Sequence, residues 1–472
     1  CPRLGRQRTM VSGGTPSPSE ERGAAAEEGD AAAAGEPRAQ VERLLSLGKL
    51  SPTPEFGAVT KLDLFAAGLS SLPSALPELL PNLSILFCTK NEFTEVPKVV
   101  GDCRSLQMVS FRSNRLSSIH PDALRPQMRW MILTDNSLGS LPPTIGRCTK
   151  LQKLMLAGNR LTELPEEISS CTGLELVRLA SNRLARPPMA LLGLPGLSWV
   201  ALSDNPFLRG SAPAGPSVPE PALVGGDVLD DPGAGEVLGS GASGVTRRYA
   251  LGGVDVAVKR YAGQITSDGN PEEERRVSLL ASSLDCPCLV RVLGQTRSGS
   301  LVMELLRDCE PLAGPPSMAT CSRDVYGEGA TMEPARAVAM VTGLLDALAK
   351  LHSRGICHGD FYGHNILVST QVPTRVWLTD FGAAFVYDKA SAYGALVERA
   401  EMRALGHLVA EVMSLLRGTS ASGAGTPLDR LLGDLESACR GPSASGFAQL
   451  EAQWRDGVSG LPAPDGGGGG LG

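Results

Sequence analysis

Leu351-His352-Ser353-Arg354-Gly355-Ile356-Cys357-His358-Gly359-Asp360-Phe361-Tyr362-Gly363-His364-Asn365-Ile366-Leu367 is the stretch on which the reading of this 472-residue chain turns. The segment before it places Val338, Val341, Leu344, Leu345 and Leu348 at helical spacing, so an amphipathic helix leads into it. Downstream, the strand Val376-Trp377-Leu378-Thr379 runs into Asp380-Phe381-Gly382. Upstream, Leu238-Gly239-Ser240-Gly241-Ala242-Ser243-Gly244-Val245 carries a complete GxGxxG loop with Val245 directly after it. A β-rich run follows it, with Val254, Val256 and Val258 alternating, and ends in Lys259. A glycine loop without side chains lets backbone amides approach a phosphate, and a fixed ammonium counters the charge. Glycine loops also open dinucleotide-binding folds, but the alternating strand that ends in lysine displaces that reading.

The glycine loop, Val256-Ala257-Val258-Lys259, His358-Gly359-Asp360 with Asn365, and Asp380-Phe381-Gly382 resemble the protein kinases in order and spacing. The resemblance implies an ATP site formed by Leu238, Gly239, Ser240, Gly241, Ala242, Ser243, Gly244, Val245, Val258 and Lys259, with Lys259 on the α- and β-phosphates. Within Leu301-Val302-Met303-Glu304-Leu305-Leu306 it makes Met303 the gatekeeper and sets the backbone of Glu304 to Leu306 against the adenine edge. Asp360 becomes the group that accepts or orients the proton of the attacking hydroxyl, and Asn365 and Asp380 become the Mg2+ ligands. Lys259 then takes its helix-borne partner from Glu273 or Glu274. Under the same resemblance His358 is the structural histidine of the loop and His352 closes the preceding helix. The crowding of His352, His358 and His364 is therefore not read as a metal site.

The chain departs from the kinase pattern in several places. Gly359 replaces the usual arginine that pairs with a phosphorylated activation loop, and no substitute for it is visible in the sequence. A helix carrying Glu401, Leu405, Gly406, Leu408, Val409 and Val412 resembles the one that follows the activation segment, which leaves only about 18 residues for that segment. No APE sequence occurs, and Ala444-Ser445-Gly446-Phe447 stands in place of RPxF, so both partners of a buried ion pair are absent together. Tyr362 replaces the lysine that commonly neutralises the γ-phosphate. Control by something other than activation-loop phosphorylation is expected.

The N-terminal half is periodic. Asn91, Asn114, Asn136, Asn159, Asn182 and Asn205 recur at spacings of 22 or 23 residues, and an earlier copy has Ala67 in the slot. Apolar residues flank each asparagine, as Leu154, Leu156, Leu161 and Leu164 flank Asn159, followed by Pro165. The array resembles the 23-residue intracellular leucine-rich repeats. Each copy is too small to bury its own leucines, so the copies must stack into one core. Cys103, Cys148 and Cys171 share one interior slot and Cys88 takes an inward strand position, where they read as small hydrophobes.

A net charge of −6 leaves no excess of Lys and Arg for a phosphate backbone or an anionic membrane, which argues against a nucleic-acid partner. No run of 18 apolar residues occurs, so no transmembrane helix is expected. Eleven cysteines with no CxxC pair read as reduced thiols of a cytoplasmic protein. The expected organisation is a low-complexity segment over 1–40, an α/β leucine-rich-repeat solenoid with an N-terminal cap over 41–208, and a Gly/Pro-rich linker over 209–227. An α+β bilobal kinase-like domain over 228–455 and a Gly-rich tail over 456–472 complete it. Together with the resemblance this implies an ATP- and Mg2+-dependent protein kinase acting on Ser or Thr of a protein substrate, with a protein partner on the repeats. The alternative is a pseudokinase scaffold that binds ATP without efficient turnover.

Overall fold

The computed structural model describes residues 59–209 and 222–462, apart from 225–228, 230–233, 242–243, 262, 264, 418–424 and 442–445. The expectations for 1–40, for the cap before residue 59, for the linker over 210–221, for Ala242, Ser243, Ala444 and Ser445, and for the tail beyond 462 lie outside the described residues.

Seven short strands form an all-parallel sheet whose neighbours follow chain order: β1 (Lys61–Asp63), β2 (Ile85–Phe87), β3 (Met108–Ser110), β4 (Trp130–Ile132), β5 (Lys153–Met155), β6 (Leu176–Arg178) and β7 (Trp199–Ala201). The register steps one repeat at a time, with Leu154 opposite Val177 and Val177 opposite Val200. Leu154, Leu156 and Leu161 are fully buried between the strands and the outer turns, as are Cys148 and Cys171. The asparagines tie one copy to the next: Asn159 Oδ1 accepts from the Leu138 amide at 3.0 Å, and its Nδ2 donates to the Leu133 carbonyl at 2.9 Å. The same pair of bonds recurs at Asn182 and Asn205. Where Asn occupies this slot, its side chain satisfies backbone groups that a three-residue strand leaves unpaired.

The second region opens with an antiparallel sheet ordered β8-β9-β10-β12-β11, formed by β8 (Glu236–Gly241), β9 (Gly244–Leu251), β10 (Val254–Tyr261), β11 (Val292–Gln295) and β12 (Leu301–Glu304). Part of the stretch expected to be a linker joins it: the Val224 amide donates to the Gln295 carbonyl at 3.0 Å, because Ala222-Leu223-Val224 is an apolar island among the glycines and prolines. Helix α1 (Pro271–Ser282) starts at Asn270, whose side chain caps the Glu272 amide, with proline at the first helical position. The helical part is built on α2 (Pro334–Ser353), α3 (Ala392–Arg417), α4 (Pro427–Arg440) and α5 (Phe447–Ser459). Helix α5 runs past the expected boundary at 456, because Trp454 is buried and Val458 and Leu461 pack beside it. Among the described residues no helix is long and apolar enough to cross a membrane.

The two regions share a core. Leu191, Leu197, Val200 and Leu202 from the last repeats belong to the same buried cluster as Phe385, Tyr387, Tyr393 and Val397. Phe207, just past the last asparagine, meets Tyr393 edge to face at 5.7 Å. The open end of the repeat sheet is thereby covered by the start of α3.

Candidate functional site

Lys259 lies on β10, where strand alternation turns Ala257 and Lys259 toward a cleft and Val258 toward the opposite side. Its Nζ contacts Glu274 Oε1 at 2.6 Å and Asp380 Oδ1 at 3.1 Å. Burial works against the ammonium, but Asp380 and Glu274 more than offset it and hold the Lys259 pKa above its ordinary value. Lys259 in turn holds the Asp380 carboxyl below the usual carboxylate range. Of the two carboxylates read as partners, Glu274 is the one in contact. Glu273 lies about 100° further round α1 and pairs with Arg276 at 2.8 Å instead.

Asp360 and Asn365 face each other across the loop between α2 and the strand Ile366–Ser369. Asn365 Nδ2 donates to Asp360 Oδ2 at 2.8 Å and to its carbonyl at 2.9 Å, so Asn365 Oδ1 is the atom that remains to offer a cation. Thr379 links this pair to Asp380, donating from its amide to the Asn365 carbonyl at 2.9 Å and from its hydroxyl at 2.8 Å. His358 Nε2 meets the Thr379 carbonyl at 2.9 Å and its ring packs against Phe381.

A residue that the sequence reading used only to mark a helix organises this loop from below. Glu401 is buried in α3 and its carboxylate accepts from the Gly359 amide at 2.6 Å, from the His358 amide at 3.0 Å and from His352 Nε2 at 2.6 Å. Burial would raise its pKa, but the hydrogen bond and charge of His352, with His358, hold it below 4.5. An acid at helical spacing from Leu405, Leu408 and Val412 was the available signal. Helix α3 begins at Ala392, so only residues 383–391 separate it from Gly382, fewer than the spacing to Glu401 suggested. The helix reaches further back because Tyr393 and Val397 are buried against the repeats.

The repeat sheet forms the opposite wall. Arg178 at the end of β6 pairs with Asp360 Oδ1, donates to the Gly359 carbonyl at 2.9 Å, and contacts Asp268 at 2.8 Å. Burial opposes its charge, and Asp360 and Asp268 more than compensate, so its pKa lies above the ordinary value. The arginine missing from position 359 thus has a guanidinium beside it from the other region. Trp199 on β7 stacks on Tyr362 at 4.2 Å, and its Nε1 donates to the Phe361 carbonyl at 2.9 Å. His407 lies under the same indole at 5.2 Å; burial first, then Arg323, Arg440 and Arg403, push it down to about 3, so it packs there uncharged. Glu175 binds Arg323 at 2.9 Å. No signal in a single sequence marks Arg178 or Trp199, since the strand-face positions vary from copy to copy.

A cavity of about 470 Å³ opens between β8, β10 and the Glu304–Leu306 connector. Leu238, Gly239, Lys259, Met303, Glu304 and Leu306 line it, together with Ala257, Leu301, Leu367 and Phe381, which the sequence reading did not name. Ser240, Gly241, Gly244 and Val245 lie on the β8–β9 hairpin outside that lining, and Val258 is buried in a separate cluster with Leu229, Tyr249 and Val302. A wider hollow of about 1240 Å³ between Cys286 and Trp377 contains none of Lys259, Asp360, Asn365 or Asp380. Mostly apolar walls with one ammonium at the end suit a flat base and its phosphates. A carboxylate and an amide oxygen suit a hard cation that completes its shell with phosphate oxygens and water.

Near this wall, burial pushes Glu411 up to about 7, against the hydrogen bond it accepts from Tyr326 at 2.8 Å. A carboxyl whose folded pKa is raised costs stability as pH climbs from its unfolded value of 4.5 through 7. Glu411→Gln should therefore raise Tm by a few degrees at pH 8.5 and by less at pH 5.5. Scanning calorimetry at the two values checks it, and an equal shift at both would contradict it.

Comparison with known proteins gives two matches. A family profile described as protein kinase domain matches residues 234–404, and one described as leucine rich repeat matches residues 150–171. No curated protein matches the chain.

Proposed function

From a chain that carries a protein kinase domain and a leucine-rich repeat, we propose a protein kinase that transfers the γ-phosphate of ATP to a Ser or Thr hydroxyl of a protein. Its repeats, stacked as a solenoid, serve protein–protein interaction. The reading is carried by one unbroken run of contacts, from Glu274 through Lys259, Asp380, Thr379 and Asn365 to Asp360. In it Glu274 fixes the Lys259 ammonium against the phosphates, Asp380 and Asn365 Oδ1 would hold Mg2+, and Asp360 takes or orients the proton of the attacking hydroxyl. Mg2+ when bound supplies charge neutralisation on the phosphates. The free, mostly buried cysteines of the described residues support a reducing, cytoplasmic setting.

A second reading, a scaffold that binds ATP without efficient turnover, is favoured by Tyr362. It stands in the lysine position, buried beneath Trp199, and supplies no ammonium there. Phosphotransfer with Mg2+ and ATP to a panel of Ser- and Thr-bearing proteins separates the two. The wild-type chain should exceed Asp360→Asn by on the order of a hundredfold. Equal rates, with nucleotide binding retained in both proteins, would leave the scaffold reading.

A further inference from the structure

A phosphoacceptor hydroxyl must come within hydrogen-bond reach of Asp360, about 3 Å. Both carboxylate oxygens are already engaged, Oδ1 by Arg178 and Oδ2 by Asn365. The next carbonyl, that of Phe361, accepts from Trp199, whose ring also covers Tyr362. None of the residues lining the 470 Å³ cavity belongs to the repeats. The repeat strands thus cover the acceptor side of the site and leave the nucleotide side open.

The contact is shaped for this purpose at the backbone level. Ala157, Ala180 and Ala201 form a small-residue cluster with Ala383 of the segment after Asp380. Gly158 stands where a Cβ would come 2.7 Å from Ile265, although other copies tolerate Lys90, Ser113, Asp135 and Ser181 at the same left-handed position. We propose that the face formed by β5, β6 and β7 is a docking surface for the chain's own Asp360 loop, which it closes to protein substrates while the nucleotide site stays accessible. The proposal rests on the kinase reading above.

The junction has two parts. The end of the repeat sheet meets α3 through an apolar joint at Leu197, Val200, Phe207 and Tyr393. The face itself is held by Arg178 with Asp360 and Asp268 and by Glu175 with Arg323 and Ser322, beside the Trp199–Tyr362 stack and the alanine cluster. Loss of these ion pairs loosens the face while the apolar joint keeps the regions attached. Release of this face takes the regulatory place that residues 383–391, with Gly359 before them, are too short to fill by phosphorylation.

The test compares wild type, Arg178→Ala, Glu175→Ala and Arg178→Ala/Asp360→Asn as full chains, by phosphotransfer and by amide hydrogen exchange over residues 356–365. Arg178→Ala should raise transfer about tenfold and Glu175→Ala about threefold, the double variant should lose the gain, and exchange over the loop should rise in both single variants. Lower transfer in Arg178→Ala and Glu175→Ala, with wild type above Asp360→Asn, would overturn the proposal and make Arg178 a positioning residue. If Arg178→Ala fails to fold, Glu175→Ala decides by the same readouts. If no protein transfers phosphate, the kinase reading fails by itself and exchange alone decides the docking: unchanged exchange overturns it, faster exchange upholds it.

Discussion

Glu401→Ala should destabilise the chain by about 3–5 kcal/mol, the range for removing one partner of a buried charged network. The substitution strands the His358 and Gly359 amides and the Nε2 of His352, all of which now end on one carboxylate only 1% exposed to water. At about 2–4 °C per kcal/mol for a domain of this size, Tm should fall by roughly 10 °C. The wild-type contribution is also pH-dependent. Because the folded pKa of Glu401 is held below 4.5, its stabilisation is fully present above that value and disappears as acid brings the pH down through the depressed one. Chemical denaturation of wild type and variant at pH 7 measures the difference, and a loss under about 1 kcal/mol would show that the amides find other partners. Glu401→Gln keeps one acceptor oxygen and should lose less.

Gly359→Arg, which restores the commoner kinase residue, should cost more than about 3 kcal/mol. Gly359 has φ +74°, a region that costs other residues roughly 1–2 kcal/mol. Its Cβ would also lie 2.5 Å from the Val200 carbonyl of the repeats and 2.8 Å from that of Ala383. Both obstacles are backbone atoms, so neither yields by a change of rotamer. Because conformation and clash arise at Cβ, Gly359→Ala should lose nearly as much as Gly359→Arg in urea unfolding. A neutral alanine beside a damaging arginine would place the cause in the longer side chain and contradict this account.

Much of the site was legible because kinase-like chemistry needs particular residue types at set separations along one strand or loop. Lys259, Asp360, Asn365 and Asp380 could be named from order and spacing, and the structure joins them through Thr379. The choice between Glu273 and Glu274 could not, because one residue on a helix is a 100° rotation and the start of α1 depends on the Asn270 cap. Val258 was assigned to the nucleotide site, yet strand alternation beside Lys259 turns it to the other face. Glu401 was visible as an acid in an apolar run but not as the acceptor for a loop 42 and 43 residues away.

The repeats were legible for a different reason. Their asparagines and leucines satisfy local needs, closing backbone bonds and filling one copy against the next, so the period is written into every copy. The sequence by itself therefore determined a repeat region followed by a kinase-like region, and named the residues proposed to hold phosphate and metal. Only the tertiary structure decided that the two regions meet at those residues. Arg178 on Asp360, Trp199 on Tyr362 and the Val200 carbonyl over Gly359 join positions between 159 and 182 residues apart, and no local periodicity constrains such pairs. They are set by which face of a parallel sheet comes to rest on which loop, and that is settled by burial summed over the whole junction rather than by any short stretch of chain.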